Sequence, residues 1–174
     1  LFRSSKGIIA TSNPYASKAA YEVIKNGGNA IDASIAVQLV LTLTEPQATG
    51  IGGGAFMLYW DAKKSKLFSI DGREKAPSLA SEDLFLNKDG KNIKFYPDAV
   101  VGAKSVGVPG IIRLLEETHK KFGKLEWSEL FTYAIELSEN GFSISPALHN
   151  TLGYLNYLKT VEPAASLYYK KNVK

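Results

Sequence analysis

The chain has no cysteine, one methionine and only two histidines, His119 and His149, in 174 residues. Without a thiol there can be no disulfide, Cys-ligated zinc, iron–sulfur cluster or thiolate nucleophile. Two histidines far apart in sequence do not make a His-rich metal site, so no metal and no other cofactor is expected. No apolar run reaches the ~20 residues a membrane span requires, and none is expected to cross a membrane. There is no Lys/Arg block. Twenty-one basic against seventeen acidic residues leave a charge of +4, too little by itself to point to nucleic acid or a membrane surface. Internal repeats and low-complexity linkers are also missing.

What is present fits a globular protein, with 45% hydrophobic and 22% charged residues. The length suits a single unit spanning 1–174, able to bury roughly two thirds of its unfolded surface. The chain opens Leu1-Phe2-Arg3 and ends Asn172-Val173-Lys174. The missing methionine predicts a processed or engineered start from which any export signal has gone.

Hydrophobic periodicity and punctuation predict the elements. The run Gly7 to Thr11 reads as a buried strand, stopped by Ser12-Asn13-Pro14. From Tyr15 to Lys25, Ala16, Ala19, Ala20, Val23 and Ile24 share one helical face, and Gly27-Gly28 ends the helix. Asn29 and Asp32 form a capping-box pattern for a second helix over 30–43. This helix is apolar nearly all round and predicts a central core position.

The residues 55–60 and 66–70 predict a hairpin across the polar turn Asp61 to Ser65. Further helices are predicted over 111–122 and over 129–139, the latter capped by Ser128, and a last one starts at Ser145-Pro146. The order predicts an α+β protein, mainly helices packed on an antiparallel sheet.

Few residues offer chemistry. Gly50 to Ala55 matches the dinucleotide pattern G-x-G-x-x-G/A, but a helix precedes it and a strand follows. A phosphate-binding loop needs the reverse order. A tight backbone passage, or one needing positive φ, is the reading that remains. Arg73, in Asp71-Gly72-Arg73-Glu74, sits just past a strand. Its guanidinium could grip a carboxylate through two parallel N–H···O bonds, or form a surface ion pair with Asp71 or Glu74.

His119 and His149 have no Ser and Asp partners in pattern. Glu22, Asp32 and Glu45 could serve as general acids only if buried. Tyr154, Tyr157, Lys159, Tyr168, Tyr169, Lys170 and Lys171 mix aromatics with cations, as a single-strand nucleic-acid surface does. Helix-face packing with snorkelling lysines is the reading favoured over it, and no nucleic acid is expected. No complete active site is visible.

In order along the chain, several segments resemble the N-terminal part of a γ-glutamyltransferase (γ-glutamyltranspeptidase). They are Gly7 to Ala16, Gly27 to Ala33, Glu45-Pro46-Gln47, Gly50 to Phe56, Asp71 to Pro77, Val108-Pro109-Gly110, Tyr133-Ala134-Ile135 and Asn140-Gly141-Phe142. The resemblance implies part of an N-terminal-nucleophile (Ntn) hydrolase αββα sandwich. It implies a precursor that cuts itself into two subunits, the new N-terminal Thr of the small subunit becoming the nucleophile. The implied substrates are glutathione and other γ-glutamyl compounds, and the implied partner is the remainder of the precursor.

None of the threonines here stands in the family's Thr-Thr-His context, so no catalytic residue is carried over. The 174 residues alone are therefore expected to be inactive, as a structural fragment would be. One substrate-binding residue transfers: Arg73 matches the family arginine that binds the α-carboxylate. Cephalosporin acylases that take glutaryl substrates share much of this block and form the alternative. Family resemblance also implies a periplasmic or secreted location.

Overall fold

The computed structural model describes residue 4 and residues 7–169. They form two compact units, Leu1–Gly50 with Phe122–Lys174, and Ile51–Lys121.

In the first unit, α1 (Pro14–Lys25) starts where Asn13 Oδ1 accepts the Tyr15 N–H at 3.0 Å, with Pro14 in the first turn. Ala16, Ala19, Ala20 and Val23 are buried. Their small side chains let α1 lie close against α2 (Ala30–Thr44). The capping box at the start of α2 is complete. Asn29 Oδ1 accepts from Ile31 and Asp32, and Asp32 Oδ2 accepts the Asn29 N–H at 2.9 Å.

Asp32 does more than close the cap. It is fully buried and also accepts the backbone N–H groups of Lys124 and Leu125 at 3.0 and 3.3 Å. Asn29 Nδ2 donates to the Phe122 carbonyl at 2.6 Å. The start of α2 is thus fastened to a segment more than ninety positions away. Ile31, Ala33, Ile35, Ala36, Leu39 and Val40 bury the rest of α2, which is the central helix its composition predicts.

A 3₁₀ turn over Trp127–Phe131 and α4 (Thr132–Asn140) pack on α2, with Leu130 fully buried. Gly141, at φ 78°, ends α4 in the left-handed region that favours glycine. Next, α5 (Pro146–Tyr154) is capped by Ser145, whose Oγ accepts the Leu148 N–H at 3.0 Å. A short α6 (Ala164–Tyr168) follows.

In the second unit, β1 (Ala55–Asp61) and β2 (Lys66–Gly72) pair antiparallel, from Ala55 opposite Gly72 to Asp61 opposite Lys66. Asp61 Oδ1 accepts the N–H groups of Lys63 and Lys64 and so closes the turn. Tyr59 and Phe68 stack as cross-strand partners at 6.3 Å. On the other face Phe56, Leu58 and Trp60 of β1, with Leu67 of β2, are more than half exposed. A turn at Asn87 to Gly90 follows, and α3 (Ile111–Phe122) comes after it.

The observed class is α+β, helices with a two-stranded antiparallel sheet. Two local expectations differ. The segment 7–11 is not a strand, and Ile8 is 65% exposed. A strand needs a neighbour, and among the described residues the only ladder is β1 with β2. The helix predicted over 129–139 is divided into a 3₁₀ turn and α4, and Ser128 makes no side-chain cap.

Candidate functional site

Three glycines bring three stretches of backbone together in the second unit. Gly72 ends β2, Gly54 precedes β1 and Gly110 precedes α3. A Cβ on Gly54 would stand 2.6 Å from the Gly72 carbonyl oxygen and 2.8 Å from Arg73 Cα. A Cβ on Gly110 would collide with the Gly72 carbonyl, and one on Gly72 would lie 2.5 Å from Leu114 Cβ. The Gly53 carbonyl accepts the N–H groups of Gly110 and Ile111, both at 3.1 Å, and so caps α3. The glycine-rich crossing is therefore scaffold for close backbone approach. None of the glycines at 50, 52 and 54 needs a positive φ.

A pair of substitutions separates crowding from glycine content. Gly54→Ala is expected to cost about 1–3 kcal/mol, the usual penalty of overpacking against backbone. Gly52→Ala, with nothing within 4 Å of its added Cβ, is expected to change stability by less than about 0.5 kcal/mol. Thermal unfolding of the two variants checks both, and equal losses would remove the crowding argument.

This junction positions Arg73. Its backbone N–H donates to Asp71 Oδ1 at 2.9 Å, which holds the chain as it leaves β2. Its guanidinium Nη1 lies 3.0 Å from Glu74 Oε2, and the Arg73 side chain is 57% exposed. Glu74 Oε2 is buried near Gly54 and accepts no hydrogen bond, so the contact is one of charge alone. With the arginine more than half in solvent, which screens the contact, the pair contributes little to stability.

The guanidinium has five N–H donors in a fork, and one charge contact does not use them up. The fork lines an open cleft of about 540 Å³, with Lys75 and Lys104 nearby in the lining and Phe85 and Val106 on its apolar wall. A smaller hollow of about 320 Å³ shares Arg73 and reaches Asp71 and Arg113. Arg73 thus forms the ion pair with Glu74 that one of its two sequence readings expects, and it also lines a cleft.

The other candidates are placed elsewhere or used structurally. His119 is half-buried on α3, and His149 is exposed on α5. Glu22 pairs loosely with Lys25 at 3.6 Å. Asp32 is buried but spends its oxygens on backbone N–H groups. Glu45 is 5% exposed and takes hydrogen bonds from Asn13 Nδ2 at 2.7 Å, Gln47 Nε2 at 2.6 Å and Ser145 Oγ at 3.2 Å. Burial pushes its carboxyl up, but the three hydrogen bonds together outweigh that and hold it below its ordinary value.

Tyr169 donates its hydroxyl to the Leu152 carbonyl at 2.6 Å, with Lys159 over its ring. That supports packing for this aromatic cluster. Lys170 and Lys171 lie outside the described residues. No group of three or more His, Cys, Asp or Glu among the described residues could hold a metal ion. No helix among them is long and apolar enough to cross a membrane. Sequence reasoning missed Lys104 as a neighbour of Arg73, because no spacing rule links two segments so far apart. The bridge between Lys75 and Val108 is the feature that brings the two stretches together.

The family profile described as Gamma-glutamyltranspeptidase matches residues 16–174. The glutathione hydrolase proenzyme of Bacillus subtilis (strain 168) is 45% identical over 142 residues, which is 82% of this chain and 24% of that protein. The chain thus spans about a quarter of the length of this curated relative. The crystal structure of Helicobacter pylori gamma-glutamyltranspeptidase superposes with a TM-score of 0.90 at 33% identity, covering 99% of this chain and 49% of that one. A cephalosporin acylase from Bacillus halodurans superposes less well, with a TM-score of 0.69 at 30% identity over 99% of this chain and 31% of that one. With a profile match over residues 16–174 and these relatives, the chain belongs to the gamma-glutamyltranspeptidase family.

Proposed function

We propose that these residues are the N-terminal part of the large subunit of an enzyme that cleaves γ-glutamyl amides such as glutathione. The observation that carries the reading is the half-exposed Arg73 fork on an open cleft at the end of β2. The α-carboxylate of the γ-glutamyl group takes two N–H···O bonds from that fork.

A threonine hydroxyl on the small subunit attacks the γ-carbonyl. The hydroxyl proton passes to the threonine's own α-amino group or to a nearby water, and the C–N bond breaks. The amine leaves with a proton, and the acyl group stays on Thr as an ester. Water or the amine of an amino acid or dipeptide then attacks the ester, which frees the Thr hydroxyl.

The natural partner is the remainder of the precursor, the small subunit included. Two features support this. The apolar run at Ile8 and Ile9 is exposed and has no strand to pair with among the described residues. The face of Phe56, Leu58, Trp60 and Leu67 offers a contiguous row of large apolar side chains of the kind that marks a contact surface. The family also suggests a periplasmic or secreted location.

A glutaryl-specific cephalosporin acylase is the second reading, favoured by the acylase superposition alone. Full-length, self-processed protein is expected to release chromophore from a chromogenic γ-glutamyl amide and to leave the glutaryl amide largely intact. The 174 residues alone are expected to release none. The reverse preference would establish the acylase reading, and release from neither substrate would refute both.

A further inference from the structure

Beside the anchoring arginine, the same cleft carries two cations that the mechanism above does not use. Three cations and one carboxylate line it: Arg73, Lys75, Lys104 and Glu74. Arg73 meets Glu74, whereas Lys75 and Lys104 have no acidic partner among the described residues. The lysines are not there by accident of a loose loop. Lys75 and Val108 exchange backbone hydrogen bonds at 2.8 and 3.3 Å. Gly107 packs so tightly that a Cβ on it would meet Glu74 Cβ at 2.8 Å. Ser105 Oγ donates to the carbonyls of Val100 and Gly102, fixing the turn Ala103–Ser105 that bears Lys104. Leu84, Phe85 and Val106 add an apolar wall.

We propose, resting on the γ-glutamyl reading, that this cleft is a two-carboxylate site. Arg73 takes the α-carboxylate, and Lys104, with Lys75 beside it, takes a second carboxylate on the same donor. The enzyme then prefers donors whose leaving amine itself carries a carboxylate, such as γ-glutamyl peptides with a free C-terminus, over donors with an uncharged leaving group. An ammonium suits this role because it is a point charge on a flexible stem and tolerates leaving groups of different length.

The test uses the complete processed enzyme and two donors, γ-glutamyl nitroanilide and its ring-carboxylated analogue. In the native enzyme the carboxylated donor is expected to have the lower KM at low ionic strength. Its advantage should shrink as salt screens the lysines. In Lys104→Glu the ratio of the two KM values is expected to shift about tenfold toward the uncharged donor, with Lys104→Gln in between. An unchanged ratio in both variants would overturn the proposal, as would a native preference insensitive to salt. Turnover of neither donor by the native enzyme would instead remove the γ-glutamyl reading on which it rests.

Discussion

In the complete enzyme, Arg73→Lys is expected to raise KM for γ-glutamyl donors about 10- to 100-fold, with kcat changed far less. The size follows from the contact. A charge-assisted hydrogen bond contributes ~1.5–3 kcal/mol, and every 1.4 kcal/mol is about a factor of ten in binding. Lysine keeps the charge facing Glu74, 3.0 Å from Nη1 in the native pair, so the fold has no reason to fail. What lysine lacks is the planar fork, which holds both oxygens of a carboxylate at once. The loss therefore falls on the bound donor from the start, and uniform loss of binding appears in KM. Steady-state kinetics on processed enzyme check it. An unchanged KM would mean that Arg73 is only the partner of Glu74.

The place of Arg73 at a strand exit was legible in the sequence because two local signals coincide there, whereas its substrate-binding role came from the family resemblance. A strand pattern ends at Ile70, and the motif Asp71 to Glu74 follows it directly. The helix ends were legible for the same reason: Asn13 to Tyr15, Asn29 to Asp32 and Ser145 to Leu148 are contacts within three positions. The strand expected over 7–11 shows the limit of such reasoning. Its residues have strand composition, but a strand exists only with a partner, and none pairs with it among the described residues. The reach of Asp32 to Lys124 and the neighbourhood of Arg73 and Lys104 depend on the fold, so no spacing within one element could announce them.

Glu45→Ala is expected to cost about 2–4 kcal/mol of stability, the range for breaking a buried hydrogen-bond network. The carboxylate sits at the end of α2 and joins the first residues of two other helices. Asn13 gives Nδ2 to Glu45 and takes the Tyr15 N–H on Oδ1. Ser145 gives its hydroxyl proton to Glu45 and takes the Leu148 N–H. Each cap is therefore oriented by the same acid, across 32 and 100 positions of sequence. Alanine would leave the buried Asn13 amide without its acceptor and let both caps turn, each worth ~1 kcal/mol.

The pH dependence follows from the same bonds. Burial raises the carboxyl of Glu45, but the hydrogen bonds prevail and its folded pKa lies below the ordinary glutamate value. The unfolded chain then binds the proton more readily than the folded one. The contribution of Glu45 is fully present above the unfolded value and is lost as pH falls through the folded one. Melting temperature of the native enzyme should drop on acidification through this range, and the drop should be shallower in Glu45→Gln, which cannot titrate. If native enzyme and Glu45→Gln lose stability in parallel as the pH is lowered, Glu45 is not the group that fastens α1 and α5 to α2.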